Sequence, residues 1–227
     1  MYVEWSPPPA LAGRLACLWR RVSEDDHPQL VVPDGCVDLI WGPSGAFVAG
    51  PDTGPMFSRM APGDMFTGIR FRPGAVGEVF GVPLPELRDQ RVPLPELDAL
   101  PPLDAAADAP DPMPVLLAAV ADRLRRTSPA DPAAPAVAAS LGRGSSVREV
   151  AWQLGLSERQ LHRRSVSSFG YAPKTLQRIV RFQRALRLAR RGMPLADVAA
   201  TAGYTDQAHL SHDVKRLSGV TLRRLVG

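Results

Sequence analysis

The last third of this 227-residue chain contains one pattern twice. Residues 147–170, VREVAWQLGLSERQLHRRSVSSFG, align with residues 195–219, LADVAATAGYTDQAHLSHDVKRLSG. Val147, Val150, Ala151, Gly155, Leu156 and Ser157 fall on Leu195, Val198, Ala199, Gly203, Tyr204 and Thr205 at an offset of 48. Leu161, Gly170 and Pro173 fall on Leu210, Gly219 and Leu222 at 49, so the second copy carries one extra residue near the start of its second helix. Apolar residues at helical spacing on both sides of a glycine restrict each copy to a small helical unit that buries one face.

Each copy has the logic of a helix-turn-helix. A short helix ends at Gly155 or Gly203, free to take the left-handed conformation of a tight turn. Ser157 or Thr205 is then placed to cap the next helix. The small Ala151 or Ala199 lets that helix pack close across the first, so that it presents its polar and basic residues outward. Between the copies, Ala172–Pro173 opens a long helix that closes at Arg190–Arg191–Gly192. The pattern predicts two units, 147–168 and 195–217, joined by one long helix.

Charge divides the chain in the same place. The whole carries a net of +4, but Ser140–Gly227 holds 16 Lys and Arg against 5 Asp and Glu, a net of +11. Residues 1–139 hold 11 against 18, a net of −7, together with 22 of the 24 prolines. A basic, proline-poor half reads as a polyanion binder. At 45% hydrophobic and 22% charged the chain is not disordered as a whole, and two cysteines exclude a disulfide framework. No apolar run approaches the ~20 residues of a membrane span. The opening MYVEWSPPPALAGRL, with Glu4 and three prolines, is no secretory signal. A cytoplasmic, nucleoid-associated protein with no membrane partner is expected.

In the first half, LACLWRRV, QLVVP, CVDLIW, AFVAG and FTGIRFR read as strands. CVDLIW alternates, with Val37, Leu39 and Trp41 on one face and Asp38 and Ile40 on the other. PGAVGEVFG (73–81) suits a short helix, and residues 115–126 have helical spacing with a basic end. PPLDAAADAPDPMP and SPADPAAP are linker-like. The fold class is therefore α+β: a β-rich sensor or assembly domain over 1–127, a linker over 128–144, and an all-α domain over 145–227.

The second copy, GYTDQAHLSHDVKRLSGVT, closely resembles the signature of the AraC/XylS family of bacterial transcriptional regulators. The likeness covers the C-terminal ~40% of the chain. It implies two helix-turn-helix units entering successive major-groove segments of double-stranded DNA one helical turn apart. Carried over by position, base readout falls to Arg159, His162 and Arg163 in the first unit and to Gln207, Ala208, Ser211 and His212 in the second. Arg163 suits a bidentate contact with guanine, Gln207 one with adenine, and Ala208 a thymine methyl. Lys174, Lys215 and Arg216 are expected on phosphates. His212 stands where the family usually has arginine, Ser165 and Val214 where it has aromatics, and Leu222 where it has proline. PDGCVDLIW and GIRFRPG resemble an uncharacterised N-terminal domain found with such regulators. Such a protein is an activator or a repressor, with RNA polymerase as a partner in the first case.

Other chemistry finds less support. Arginines at 178, 181, 184, 187 and 190 suggest a phosphate stripe, but steps of three sweep around most of a helix, so at most two or three can face DNA together. His209 and His212 have metal-pair spacing without a completing ligand set, and no cofactor is expected. Cys36 reads as a buried strand cysteine or as a redox sensor, the second opposed by Asp34 and Asp38. Asp34, Asp38, Arg70 and Arg72 either line an effector pocket or form structural pairs. No G-x-S-x-G, Walker loop or H-E-x-x-H is present, so no enzyme is expected. The remaining alternatives are an N-terminal ligand or redox module whose main role is to control DNA affinity, and an N-terminal enzyme. A homodimer is compatible with the sequence, although no heptad run is present.

Overall fold

The computed structural model describes residues 1–227 except His27, Asp98, Pro102 and the side chain of Asp104. The N-terminal half is built on eight strands: β1 (Tyr2–Trp5), β2 (Leu15–Val22), β3 (Gln29–Val31), β4 (Val37–Gly42), β5 (Gly45–Ala49), β6 (Met56–Ser58), β7 (Met65–Phe71) and β8 (Arg91–Pro93). Six form one antiparallel sheet in the order β1-β2-β7-β4-β5-β8, and β3 pairs with β6 in a separate ribbon. The five apolar runs appear as strands, and the alternation in β4 holds. Val37 and Leu39 enter the main core with Trp41 packed against it, while Ile40 lies in a second cluster on the opposite face.

One face of the sheet is closed over. Leu18, Leu39, Val48, Ile69 and Phe71 meet Val79 and Phe80. They also meet α1 (Leu84–Leu87) and α3 (Met113–Arg126), which follows the short α2 (Asp104–Ala107). The segment 73–81 forms turns where a helix was expected. Gly74, Gly77 and Gly81 all sit at positive φ, which a right-handed helix does not accept. Three strands were not anticipated. The four residues of β1 are all exposed at the sheet edge, and β6 and β8 are three residues each, too short for alternation to register.

The C-terminal half is helical: α4 (Ala134–Arg143), α5 (Val147–Gln153), α6 (Glu158–Phe169), α7 (Pro173–Arg190), α8 (Leu195–Ala202), α9 (Gln207–Ser218) and α10 (Leu222–Val226). The segment expected as linker thus holds α4, whose Ala134, Val137 and Leu141 belong to the C-terminal core. On α7, with Leu176, Ile179, Phe182, Ala185 and Leu186 all buried, pack α4, α6, α8, α9 and α10, while α5 packs against α4 and α6. Among the described residues no helix is long and apolar enough to cross a membrane.

The halves share a joint at the loop 32–36. Val32 packs on the helical core, and the Pro33 carbonyl accepts from Gln183 Nε2 at 2.7 Å. Gly35, at φ +82°, lies so close under Tyr171 that an added Cβ would stand 3.3 Å from the hydroxyl. A little away, Phe169 covers Gly74, Arg88 donates to the Gly170 carbonyl, and Arg164 pairs with Asp131 at 3.1 Å.

Candidate nucleic-acid interface

The first unit starts at a capping box. Ser146 accepts from the Glu149 amide while the Glu149 carboxylate accepts from the Ser146 amide at 2.7 Å, which holds that carboxyl below the usual carboxylate range. The turn follows at Gly155, φ +65°. A second box, Ser157 with Gln160, opens α6. Ala151 is buried, and Leu161 from α6 joins it in the core. Arg159, His162 and Arg163 are left exposed on the far side of α6, with no ion pair or side-chain hydrogen bond among the described residues. Their neighbour Arg164 is tied to Asp131, and Ser165 is buried, donating to the Tyr171 carbonyl at 2.8 Å.

The second unit repeats the geometry with one change. Its cap is Asp206, which accepts from the His209 amide at 2.7 Å. Thr205 was expected in that role, but it is the extra residue of this copy and stands one place ahead of the cap. On α9, Gln207, Ala208, Ser211 and His212 are exposed. His209 points the other way, with its ring edge-on to Tyr204 and Nε2 3.3 Å from Arg181. Val214 is fully buried and Leu222 begins α10 from within the core, so neither is available at the surface.

A buried charge cluster fixes this unit to the long helix. Asp213 is 5% exposed and meets Arg181 at 2.5 Å and Arg178 at 3.7 Å. The Arg181 guanidinium also lies 4.2 Å from the centre of the Tyr204 ring. Burial, with the nearby Asp213, pushes the Tyr204 phenol up to about 12, the two arginines pulling against it. The arginine series on α7 therefore does not form a stripe. Arg178 and Arg181 hold Asp213, Arg184 donates to the carbonyls of Gly142 and Arg143, and only Arg187 and Arg190 are exposed. Lys174, Lys215 and Arg216 are exposed, Lys174 within 2.9 Å of Gln177 Oε1.

The N-terminal candidates divide. Asp34, Asp38 and Arg70 converge on a cleft beside the outer sheet face, whereas Arg72 is held away from it by the Ala12 carbonyl. Arg70 grips Asp38 through Nε and Nη2 at 3.1 and 3.0 Å and lies 3.9 Å from Asp34. Burial would raise the Asp38 carboxyl and lower the Arg70 guanidinium, and their contact opposes both tendencies. Cys36 precedes β4 by one residue. Its amide is taken by Asp34, and burial, then Asp34 and Asp38, push its thiol well above the ordinary range. Sequence reasoning missed the other walls of this cleft, among them Trp19, Phe47 and Phe66 from the sheet and Gln183, Leu186 and Arg190 from α7. Trp19 and Arg21 were readable from the alternation of β2; the α7 residues carried no such signal.

Comparison with known proteins places the two halves separately. Residues 150–226 match a family model described as a helix-turn-helix domain, and residues 3–93 match a domain of unknown function, DUF6597. The helical region from 150 to 226 is thus matched as a helix-turn-helix domain. No curated protein sequence matches the chain. Among solved structures, the chain is similar to the C-terminal domain of AraT, a response regulator from Geobacillus stearothermophilus. The identity is 20% over 42% of this chain and 84% of that one, with a TM-score of 0.39. An AraC-type transcriptional regulator from Chromobacterium violaceum is 22% identical over 41% and 85%, at 0.38. ToxT from Vibrio cholerae O395 is 11% identical over 92% and 97%, at 0.47.

Proposed function

We propose that the chain is a sequence-specific transcriptional regulator that reads two adjacent major-groove segments. Arg159, His162 and Arg163 read the first and Gln207, Ala208, Ser211 and His212 the second, while Lys174, Lys215 and Arg216 contact phosphates. The observation that carries this reading is selective exposure. On α6 and α9 these side chains are exposed and have no partner among the described residues, while Arg164, Ser165, His209 and Asp213 on the same helices are engaged by the protein. The eighteen residues of α7 span about 27 Å, comparable with the ~34 Å turn of DNA that separates successive major-groove entries.

The N-terminal domain modulates this activity by binding an effector in the cleft at Asp38 and Arg70. Contact of that cleft with α7, the helix between the two units, supports the reading. Self-association as a homodimer is the second way the domain acts, and RNA polymerase is a partner where the protein activates. No enzymatic step is part of this function. Selection of bound sequences from random DNA tests it. The expected motif has two half-elements about one turn apart, and Arg163→Ala relaxes one base position while costing ~1–3 kcal/mol. Random enrichment, or an unchanged motif in that variant, would overturn the assignment.

A further inference from the structure

The cleft that separates the outer sheet face from α7 has a volume of about 890 Å³, within the range of small-molecule sites. Its floor is a row of apolar side chains. Trp19 lies over Gly68, so close that an added Cβ would stand 2.3 Å from the ring, with Ile40 and Phe47 continuing the row and Phe66 beside it. Phe57 on the β3–β6 ribbon lines it from another side and is itself 57% exposed.

The polar groups of the cleft are unevenly matched. Its carboxylates are all engaged: Asp38 by Arg70, Asp52 by Arg91 at 2.7 Å, Asp34 by the Cys36 amide, and Asp64 by the Ala61 amide at 2.7 Å. Its cations are not. Arg21, Arg59 and Arg190 line the cleft without a carboxylate partner among the described residues. Two buried atoms have no hydrogen-bond partner among the described residues, the indole N–H of Trp19 and Nε of the same Arg21. These lie two residues apart on β2, on the same face of the sheet. Each of these unmet groups is a donor. What these donors lack is an acceptor, and three guanidiniums without a carboxylate partner among the described residues, Arg21 and Arg59 from the half of net −7 and Arg190 from α7, favour a charged one.

We propose that the cleft binds an amphipathic organic anion, an aryl or alkyl carboxylate, which lays its apolar body on the Trp19–Phe47–Phe66 floor and offers its oxygens to Arg21 and Arg190. This rests on the reading of the cleft as the effector site and adds the chemical class of the effector. Arg21 belongs to the sheet and Arg190 to the last turn of α7, so one ligand ties the N-terminal domain to the helix that carries both reading units. Asp38 and Arg70, already matched to each other, form the neutral end of the cleft.

The test uses the full chain and 8-anilinonaphthalene-1-sulfonate, an aryl anion whose fluorescence rises on binding. Phenylbutyrate, its primary amide and the matching amine then compete for it at neutral pH. The carboxylate is expected to displace the reporter at least tenfold more tightly than the amide or the amine. Arg21→Gln and Arg190→Gln each weaken the reporter about tenfold, whereas Arg187→Gln, exposed on the same helix but outside the cleft, leaves it unchanged. Near-ultraviolet circular dichroism separates a lost contact from a lost fold, and Arg190, being exposed, keeps the test open if Arg21→Gln unfolds. Equal binding to all variants overturns the anion site. Better displacement by the amine or the amide overturns the carboxylate class while leaving an effector cleft in place. The effector reading fails separately if saturating reporter or phenylbutyrate binds and leaves operator affinity unchanged.

Discussion

The two helix-turn-helix units share a backbone plan and differ in what holds them. The first is fixed from outside. Phe169 covers Gly74, Tyr171 covers Gly35, Arg88 reaches the Gly170 carbonyl and Arg164 pairs with Asp131, all contacts with residues that precede the helical core. The second is fixed from inside, by Asp213 buried between Arg178 and Arg181 of α7. Duplication of a motif therefore does not duplicate its support. Each copy spends different side chains on anchorage, and what remains exposed is two arginines and a histidine in the first, but glutamine, alanine, serine and histidine in the second.

The sharpest way to break this comparison is to remove the inner anchor. Asp213→Ala leaves a buried guanidinium without its partner and is expected to destabilise the protein by ~3–5 kcal/mol in denaturant unfolding, whereas Arg164→Ala, on a half-exposed pair, costs under about 1 kcal/mol. Equal losses would mean that both units are anchored alike. The two C-terminal glycines give a smaller contrast. Gly170 (φ +81°) and Gly219 (φ +73°) end equivalent helices, so an alanine is strained at each. At Gly170 the new Cβ also meets Pro51 at 2.9 Å and the Leu84 carbonyl at 3.2 Å, while at Gly219 the nearest atom is 3.7 Å away. Thermal unfolding should show a cost of about 2 kcal/mol or more for Gly170→Ala and about 1 kcal/mol for Gly219→Ala.

The caps sharpen the likeness instead. Ser157→Ala and Asp206→Ala should each cost ~1 kcal/mol, whereas Thr205→Ala is nearly neutral if Asp206 is the true cap. The smallest effect concerns the thiols outside both units. Burial pushes Cys36 well above its ordinary value of 9.0 and Cys17 up to about 11. Folded values above the unfolded one mean that this contribution to stability is intact below about 9 and is lost as pH rises through the folded values. Alkylation by iodoacetamide at neutral pH, followed by mass spectrometry, should run at least tenfold slower in the folded chain than after unfolding.

Much of this was legible because it is periodic. The helices of both units, the alternation of β4 and five of the strands, the three-residue β3 among them, all show in apolar spacing alone. What escaped was short, glycine-rich or remote. β6 and β8 have three residues each, and 73–81 has the spacing of a helix but glycines that turn the other way. The helix α4 was hidden by its prolines and alanines, although Gly144 precedes Val147 by the interval that separates Gly192 from Leu195. The repeat therefore extends back into α4, and the end of α7 does for the second unit what α4 does for the first. Of the site residues, the proposed readers came from the family resemblance, and α6 and α9 leave them exposed. The wall that Gln183, Leu186 and Arg190 lend to the cleft could not be foreseen, because it depends on how two halves dock.

The loop 32–36 limits how far these halves can be exchanged. Val32 and Gly35 are numbered with the sheet but complete the surface of the helices, one beside their core and one beneath Tyr171. A hybrid that joins residues 134–227 to a foreign N-terminal domain inherits a tyrosine whose cover was left behind. Portable as its twin motifs look, the helical half would travel well only with a neighbouring domain that brings its own proline–glycine loop.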